Sequence, residues 1–276
     1  MRPFESILDD WRDWPLAGRP AVLKRFVEGL NHDTALLAAG PDQYVLKRFL
    51  SEPARQIESQ LWAATLGISP GVIFAPPNHQ YMLMQALSGS HFEAEEIDNL
   101  GLRAVARSLS TMHAAKPGPR SQQGFDIRQF CQRYLSESDD NAMALHDELM
   151  PVLDYFYNDP TPWVFCHNDL VKANCFIQNG EAQFIDWEYA DLHNPWFDLA
   201  AIVYYFDLDS DQSRTFLAAY QNDWQAKVEE PIFLAAQISL LWGDMLWHLD
   251  KFGGGYWPEL AQKEQDLRLL ALQMAI

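Results

Sequence analysis

The sequence predicts an α+β fold in two unequal parts, a small antiparallel lobe over residues 1–86 and a larger, mainly helical lobe over residues 87–276. Three observations predict it. Three short runs rich in β-branched and aromatic residues follow one another before residue 50, with Gly40-Pro41-Asp42 as the turn between the last two. From residue 93 onward, most of the chain carries apolar residues at three- and four-residue spacing, the period of a helix. Within that helical half, residues 163–188 stand apart: two short apolar runs enclose a polar segment, and an Asn179-Gly180 turn leads into a further strand.

Length and composition set the bounds. A chain of 276 residues that is 48% hydrophobic can bury a substantial core. Its net charge of −18, from 20 Lys plus Arg against 38 Asp plus Glu, argues against a nucleic-acid partner, because a phosphate backbone requires a basic footprint. The same charge attracts cations. Three cysteines, Cys131, Cys166 and Cys175, make no disulfide framework and point to a reducing compartment, so the expected location is cytoplasmic. The opening residues contain no apolar run of signal-peptide length, and no uninterrupted apolar stretch reads as long enough to span a bilayer, so no membrane partner is expected. Oligomeric state is not legible.

Taken in order, residues 1–20 carry Trp11 and Trp14 and read as a short helix or wrapped tail. Strands are expected over 21–27, 34–39 and 44–49. Lys47 lies inside the third, on the face of Val45 by the period of two, and an inward Lys requires a partner. Ser51-Glu52-Pro53 reads as the start of a helix that runs to Leu66 and stops at Gly67. Along it Ile57, Leu61 and Ala64 form an apolar stripe with Glu58 beside them, which makes Glu58 the expected partner of Lys47 and Glu52 the alternative. The turn E-G-L-N-H-D-T between the first two strands has one glycine, Gly29, to let backbone approach a phosphate, with Asn31 or His32 to donate hydrogen bonds. His32 itself is expected as an exposed loop residue. The run 81–84 reads as the last strand of the small lobe and leads into a hinge at Gln85 to Leu87, whose backbone can read an adenine ring, with Met82 and Met84 nearby or in the core. Helices are expected over 93–115, where His113 caps or packs, and over 127–135, 142–156, 196–206, 212–221, 231–251 and 258–275.

The chemistry is concentrated in H-N-D-L-V-K-A-N, with His167, Asp169 and Asn174, and in F-I-D-W-E, with Asp186 and Glu188. The spacing H-x-D-x-x-x-x-N is that of a kinase catalytic loop, in which the Asp accepts the proton of an attacking hydroxyl and the Asn, with a second carboxylate, holds magnesium. Asp169 and His167 are therefore the expected catalytic pair. Asn174 and Asp186 are the expected metal ligands, since magnesium needs only one or two carboxylates besides phosphate oxygens and water. Lys47, held by Glu58, is the expected phosphate contact. One Asp at a strand end is usually a turn former, but four such residues in order at strand margins are not. Other chemistries lack their signatures. Cys166, His167, Cys175 and His193 offer no close Cys pair for structural zinc, and neither G-x-S-x-G nor G-x-x-x-x-G-K-[ST] occurs.

Together H-N-D-L-V-K-A-N, F-I-D-W-E-Y-A and N-P-W-F-D-L-A resemble the aminoglycoside phosphotransferase and choline kinase superfamily, and within it the bacterial choline kinase-like and thiamine kinase-like enzymes. The resemblance implies a protein-kinase-like two-lobed fold, ATP and Mg2+ as cofactors, and phosphoryl transfer to the hydroxyl of a small molecule. It implies that Asp198 braces the catalytic loop and that Gly29 belongs to a reduced phosphate loop. Relatives hold a cationic nitrogen with aromatic residues from C-terminal helices, and here residues 232–251 carry Trp242, Asp244, Trp247 and Asp250. The expected acceptor is thus a small cationic alcohol, choline-like first, with a thiamine or aminoglycoside kinase as the alternative. Its pocket is expected to use Glu188, Trp242, Asp244 and Trp247. Two indoles five residues apart are about 140° apart on a helix, so at most one is expected to face the pocket. A catalytically silent kinase fold acting as a binding module is the reading from another class, and the joint presence of Lys47, Asp169, Asn174 and Asp186 weighs against it.

Overall fold

The computed structural model describes residues 2–26, 32–50, 54–88, 90–91, 97–115, 118–119, 124–135, 139–178, 180–223, 230–253 and 258–274. Gly29, Asn31 and Glu52, named above, lie outside them. Strands β1 (Ala21–Phe26), β2 (His32–Ala39), β3 (Asp42–Phe49), β4 (Val72–Phe74) and β5 (Tyr81–Gln85) form one antiparallel sheet in the order β1-β2-β3-β5-β4. The turn between β2 and β3 runs through Gly40 at φ +66°, a conformation that a residue without Cβ adopts freely.

Alternation along β3 divides the sheet's two faces. Leu46 joins Ala35, Leu37, Tyr81 and Leu83 beneath the N-terminal stretch, where α1 (Phe4–Ile7) and the turn that follows it contribute Phe4, Ile7 and Trp14. That stretch is pinned by Trp14 Nε1 donating to the Tyr81 hydroxyl at 3.1 Å. On the other face Phe49, Met82 and Met84 pack against Ile57 of α2 (Ala54–Thr65), with Val45 alongside. Lys47 shares this second face. It points toward the cleft below the sheet.

The helical part holds α3 (Asn99–Ala114), α4 (Ile127–Tyr134), α5 (Asp140–Tyr157), α6 (Trp196–Tyr205), α7 (Ser210–Asp223), α8 (Glu230–Phe252) and α9 (Ala261–Gln273). Helix α3 starts later than its apolar spacing suggested because Asp98 caps it, accepting from the Gly101 amide at 2.7 Å. Two small sheets carry the polar segment. β7 (Val164–Cys166) pairs with β10 (Asp191–His193), and β8 (Cys175–Gln178) with β9 (Glu181–Phe184), which is flanked through β8 by β6 (Ser90–His91). By length and composition helix α8 is apolar enough to cross a bilayer, with mean hydropathy 1.3, although Gln237, Ser239, Asp244 and His248 interrupt its apolar run. Its apolarity has another explanation, since 67% of that window is buried within the protein, where Leu241, Trp242, Met245 and Leu246 join the main core.

Candidate active site

The site begins where β7 ends. Asn168 adopts φ +64° and Asp186, just past β9, also φ +64°, a strained region for side chains larger than glycine, so the surroundings must hold both turns. Asp198, in the first turn of α6, supplies much of that hold. Its carboxylate is fully buried and accepts from the His167 amide at 2.8 Å, the Asn168 amide at 2.8 Å and His113 Nε2 at 3.1 Å. Burial alone would raise its pKa; the His113 hydrogen bond and charge reverse that and hold it below the ordinary carboxylate range. His113 is fixed in turn by the Tyr220 hydroxyl at 2.8 Å. Asp198→Ala would leave two loop amides and His113 without this acceptor, and we expect a loss of about 3–5 kcal/mol, read as a lowered midpoint in denaturant unfolding.

His167 does not reach the cleft. It is 0% exposed, its Nε2 lies 2.9 Å from the Ile185 carbonyl, and its Nδ1 accepts from the Asp169 amide at 3.3 Å. An imidazole accepting at Nδ1 carries its proton at Nε2, and burial keeps it neutral by lowering its pKa. The expectation of a catalytic His167 is therefore corrected to a positioning residue that ties the Asp169 loop to the residue before Asp186. His193 likewise has its Nδ1 on Asn168 Oδ1 at 2.8 Å, and burial lowers its pKa to about 4.

Asp169 lies in a cavity of about 420 Å³ together with Lys47, Asn174, Asp186, Glu188, Asp244 and Trp247. Asn174 Nδ2 donates to Asp169 Oδ2 at 3.0 Å and to its carbonyl at 2.8 Å, which orients the carboxylate and leaves the amide oxygen of Asn174 as the group that faces a cation. Burial, then the charges of Asp186 and Glu188, push the Asp169 pKa up to about 8. Asp186 shows the opposite balance: burial raises it, but the Lys47 ammonium at 2.8 Å, together with the nearby His32 and His167, reverses that and holds it below the ordinary carboxylate range. Carboxylates outnumber ammonium groups here, so the site is organised for added positive charge. That donor set, an amide oxygen and a carboxylate in a cleft rich in negative charge, fits Mg2+.

Several expected residues stand elsewhere. Glu58 is exposed on the outer side of α2, and Lys47 pairs with Asp186 instead. The inward residue of α2 is Gln56, two positions earlier and so about 200° around the helix, whose Nε2 donates to Asp186 Oδ1 at 2.7 Å. Trp242 is 0% exposed and donates through Nε1 to His146 Nδ1 at 3.0 Å, which places it in the core. Trp247 lines the cavity; Asp244 does too, but its carboxylate is paired with Lys263 of α9. His32 belongs to β2 and is 7% exposed, not an exposed loop residue, because β2 begins two positions earlier than its apolar pattern. Gln85 ends β5 and Leu87 follows it, both outside the cavity lining; the Gln85 and Ala86 amides donate to the carbonyls of Gly71 and Gln43. Residues the sequence did not single out complete the wall: Phe125, Phe130, Tyr189 and Tyr205. Tyr189 adjoins Glu188 in the same motif, and that adjacency was the available signal.

The sheet with α2 over a helical body, and a cleft between holding Lys47, Asp169, Asn174 and Asp186, define a protein-kinase-like fold. Residues 22–231 match the phosphotransferase enzyme family, and the chain belongs to that family. A stretch of 57 residues is 42% identical to Protein LicA of Haemophilus influenzae and covers 21% of this chain and 21% of that one, so the match spans about a fifth of that relative's length. Among solved structures, the choline kinase LicA from Streptococcus pneumoniae superposes with a TM-score of 0.74 at 18% identity, over 94% of this chain and 97% of that one. A thermostable mutant of the aminoglycoside phosphotransferase APH(4)-Ia does so with a TM-score of 0.68 at 16% identity, over 93% and 96%.

Proposed function

We propose that this chain transfers the γ-phosphate of ATP, with Mg2+, to the hydroxyl of a small cationic alcohol. A choline-like acceptor is the first choice, with thiamine or an aminoglycoside as the alternative. One observation carries the reading: the half-buried Asp169 carboxylate opens into a cavity walled by Phe130, Tyr189, Tyr205 and Trp247, with Glu188 and Asp244 among them. Aromatic faces and carboxylates together favour a cation that leaves water. The structural likeness to a choline kinase and an aminoglycoside phosphotransferase supports the same class.

The residues divide the work as follows. The backbone at Gln85 and Leu87 reads adenine. Lys47, released from Asp186, donates to phosphate oxygens. Asn174 and Asp186 would hold Mg2+, which when bound offsets the charge on the transferring phosphoryl group. Asn174 also fixes one oxygen of Asp169, so the other is left to accept the proton of the acceptor hydroxyl. A cation at either end of the cleft counters Asp186 or Glu188 and brings Asp169 down from about 8 toward the ionised form it needs. A coupled ADP-release screen of choline, ethanolamine, thiamine, aminoglycosides and sugar alcohols tests the proposal. Turnover with the cationic alcohols supports it, and equal turnover with neutral sugar alcohols removes the cationic assignment.

The two indoles of α8 give a sharper test. Trp247→Ala should raise the acceptor KM about tenfold with kcat little changed, because a desolvated cation–π contact contributes up to ~2 kcal/mol to binding. Trp242→Ala should instead cost about 3–5 kcal/mol of stability, as removal of a buried Trp side chain does. Kinetics and thermal melting of both variants distinguish the two faces of the helix.

A further inference from the structure

His32 opens β2 opposite Phe49, with its ring edge-on to the Phe49 ring at 5.3 Å. It is 7% exposed, yet neither ring nitrogen makes a hydrogen bond among the described residues. The ring has no hydrogen bond to offset its burial and only a long ion-pair contact to Glu188, so the position can take a ligand. Nε2 points into the cleft and lies 3.5 Å from Glu188 Oε2. One donor atom each from His32, Asp186 and Glu188 fall within 4.8 Å of one another. Donors bound to one ion at about 2.0–2.2 Å stand roughly 3–4 Å apart, so a small inward adjustment closes this set around a cation.

We propose that His32, Asp186 and Glu188 form a second divalent-cation site that takes Zn2+. The imidazole decides the ion. Magnesium is served by carboxylate, carbonyl and water oxygens, whereas imidazole nitrogen suits zinc, and zinc exceeds the earlier divalent ions in affinity for such mixed sites apart from nickel and copper. Asp186 is common to both sites: Lys47 and Gln56 both occupy Oδ1, which leaves Oδ2 as the ligand atom. Three protein ligands leave a coordination position open to water or a phosphate oxygen, the arrangement of a non-structural zinc site. If the proposed kinase activity holds and Glu188 also serves the acceptor, zinc at this point withdraws it from the acceptor's cationic group.

Isothermal titration of the nucleotide-free protein with Zn2+, and separately with Mg2+, tests the site. The wild type should bind one Zn2+ with an affinity that His32→Gln lowers by about 10–100-fold, the scale of losing a partner at a metal centre, while Mg2+ affinity stays the same. Glu188→Gln should weaken Zn2+ in the same direction, and it carries the test if His32→Gln fails to fold by thermal melting. Equal Zn2+ affinity in the wild type and the folded variants, or no Zn2+ binding to the wild type, would overturn the proposal. No nucleotide or acceptor enters this measurement, so its outcome is independent of whether the kinase reading holds.

Discussion

Asp169→Asn should lower kcat by about two to four decades while nucleotide binding persists, and should at the same time make the ligand-free protein more stable. The first effect follows from removing the proposed proton acceptor from a step that general-base catalysis accelerates by about 10²–10⁴. The second follows from the pKa. In the folded state Asp169 titrates at about 8, against an ordinary value of 3.8, so the folded protein holds this proton more tightly than the unfolded chain does. The contribution of Asp169 to stability is therefore greatest at low pH and falls as pH rises between those two values. Asn carries no such titration. The variant's gain should be small near pH 4, grow toward pH 8 and flatten above it. A gain of about 1 kcal/mol moves Tm by roughly 2–4 °C in a chain of a few hundred residues, so melting curves in the presence of a chelator read it directly. A wild type and variant that melt in parallel at every pH would contradict the desolvated, charge-crowded setting of the Asp169 carboxylate. Unchanged turnover would remove it from the mechanism.

Asp186→Asn should be the second large effect. The carboxylate receives Lys47 and Gln56 on one oxygen and is the metal ligand of the proposed site. The amide keeps the shape but loses the charge, so Mg2+-dependent nucleotide affinity should collapse and kcat fall by at least about 10²–10³, the scale of losing one electrostatic contact to developing charge. Asp169 should respond as well. Asp186 is the leading charge that raises its pKa after burial, so removing that charge shifts Asp169 downward and moves the stability transition of the variant to lower pH. Nucleotide titrations with and without Mg2+ check the first part, and pH-dependent melting checks the second. Mg2+-dependent affinity equal to that of the wild type would remove Asp186 from the metal site.

What the sequence revealed, and what it did not, follows from the range of the interactions involved. The loop from His167 to Asn174 and the hairpin to Asp186 are local, so strand margins and turn residues fix their order before any packing is known. The structure brings Asp169, Asn174 and Asp186 into one cleft with Lys47, a residue more than a hundred positions away. Helix rotation was not local. Glu58 and Gln56 both stand near the apolar stripe of α2, and only docking of Ile57 on Phe49 and Met82 turns Gln56 inward. Trp242 and Trp247 posed the same question on α8, and His146 of α5 resolved it by accepting from Trp242. Tyr205 enters the cavity wall from the end of α6, and nothing in its own neighbourhood of the chain marked it. His32 was misplaced for a smaller reason: the pairing of β2 with β3 extends to Phe49, beyond the apolar run that suggested where the strand begins.

In the proposed reaction Asp169 directs the γ-phosphate of ATP onto the hydroxyl of a small cationic alcohol. The most direct measurement is 31P NMR of ATP, Mg2+ and choline or thiamine incubated with wild type and with Asp169→Asn. A new phosphomonoester resonance should grow as the γ-phosphate signal of ATP declines, with inorganic phosphate minor, and little of it should form with the variant. ATP consumed only to inorganic phosphate, no ester with any cationic alcohol, or the same ester at the same rate with the variant would contradict it.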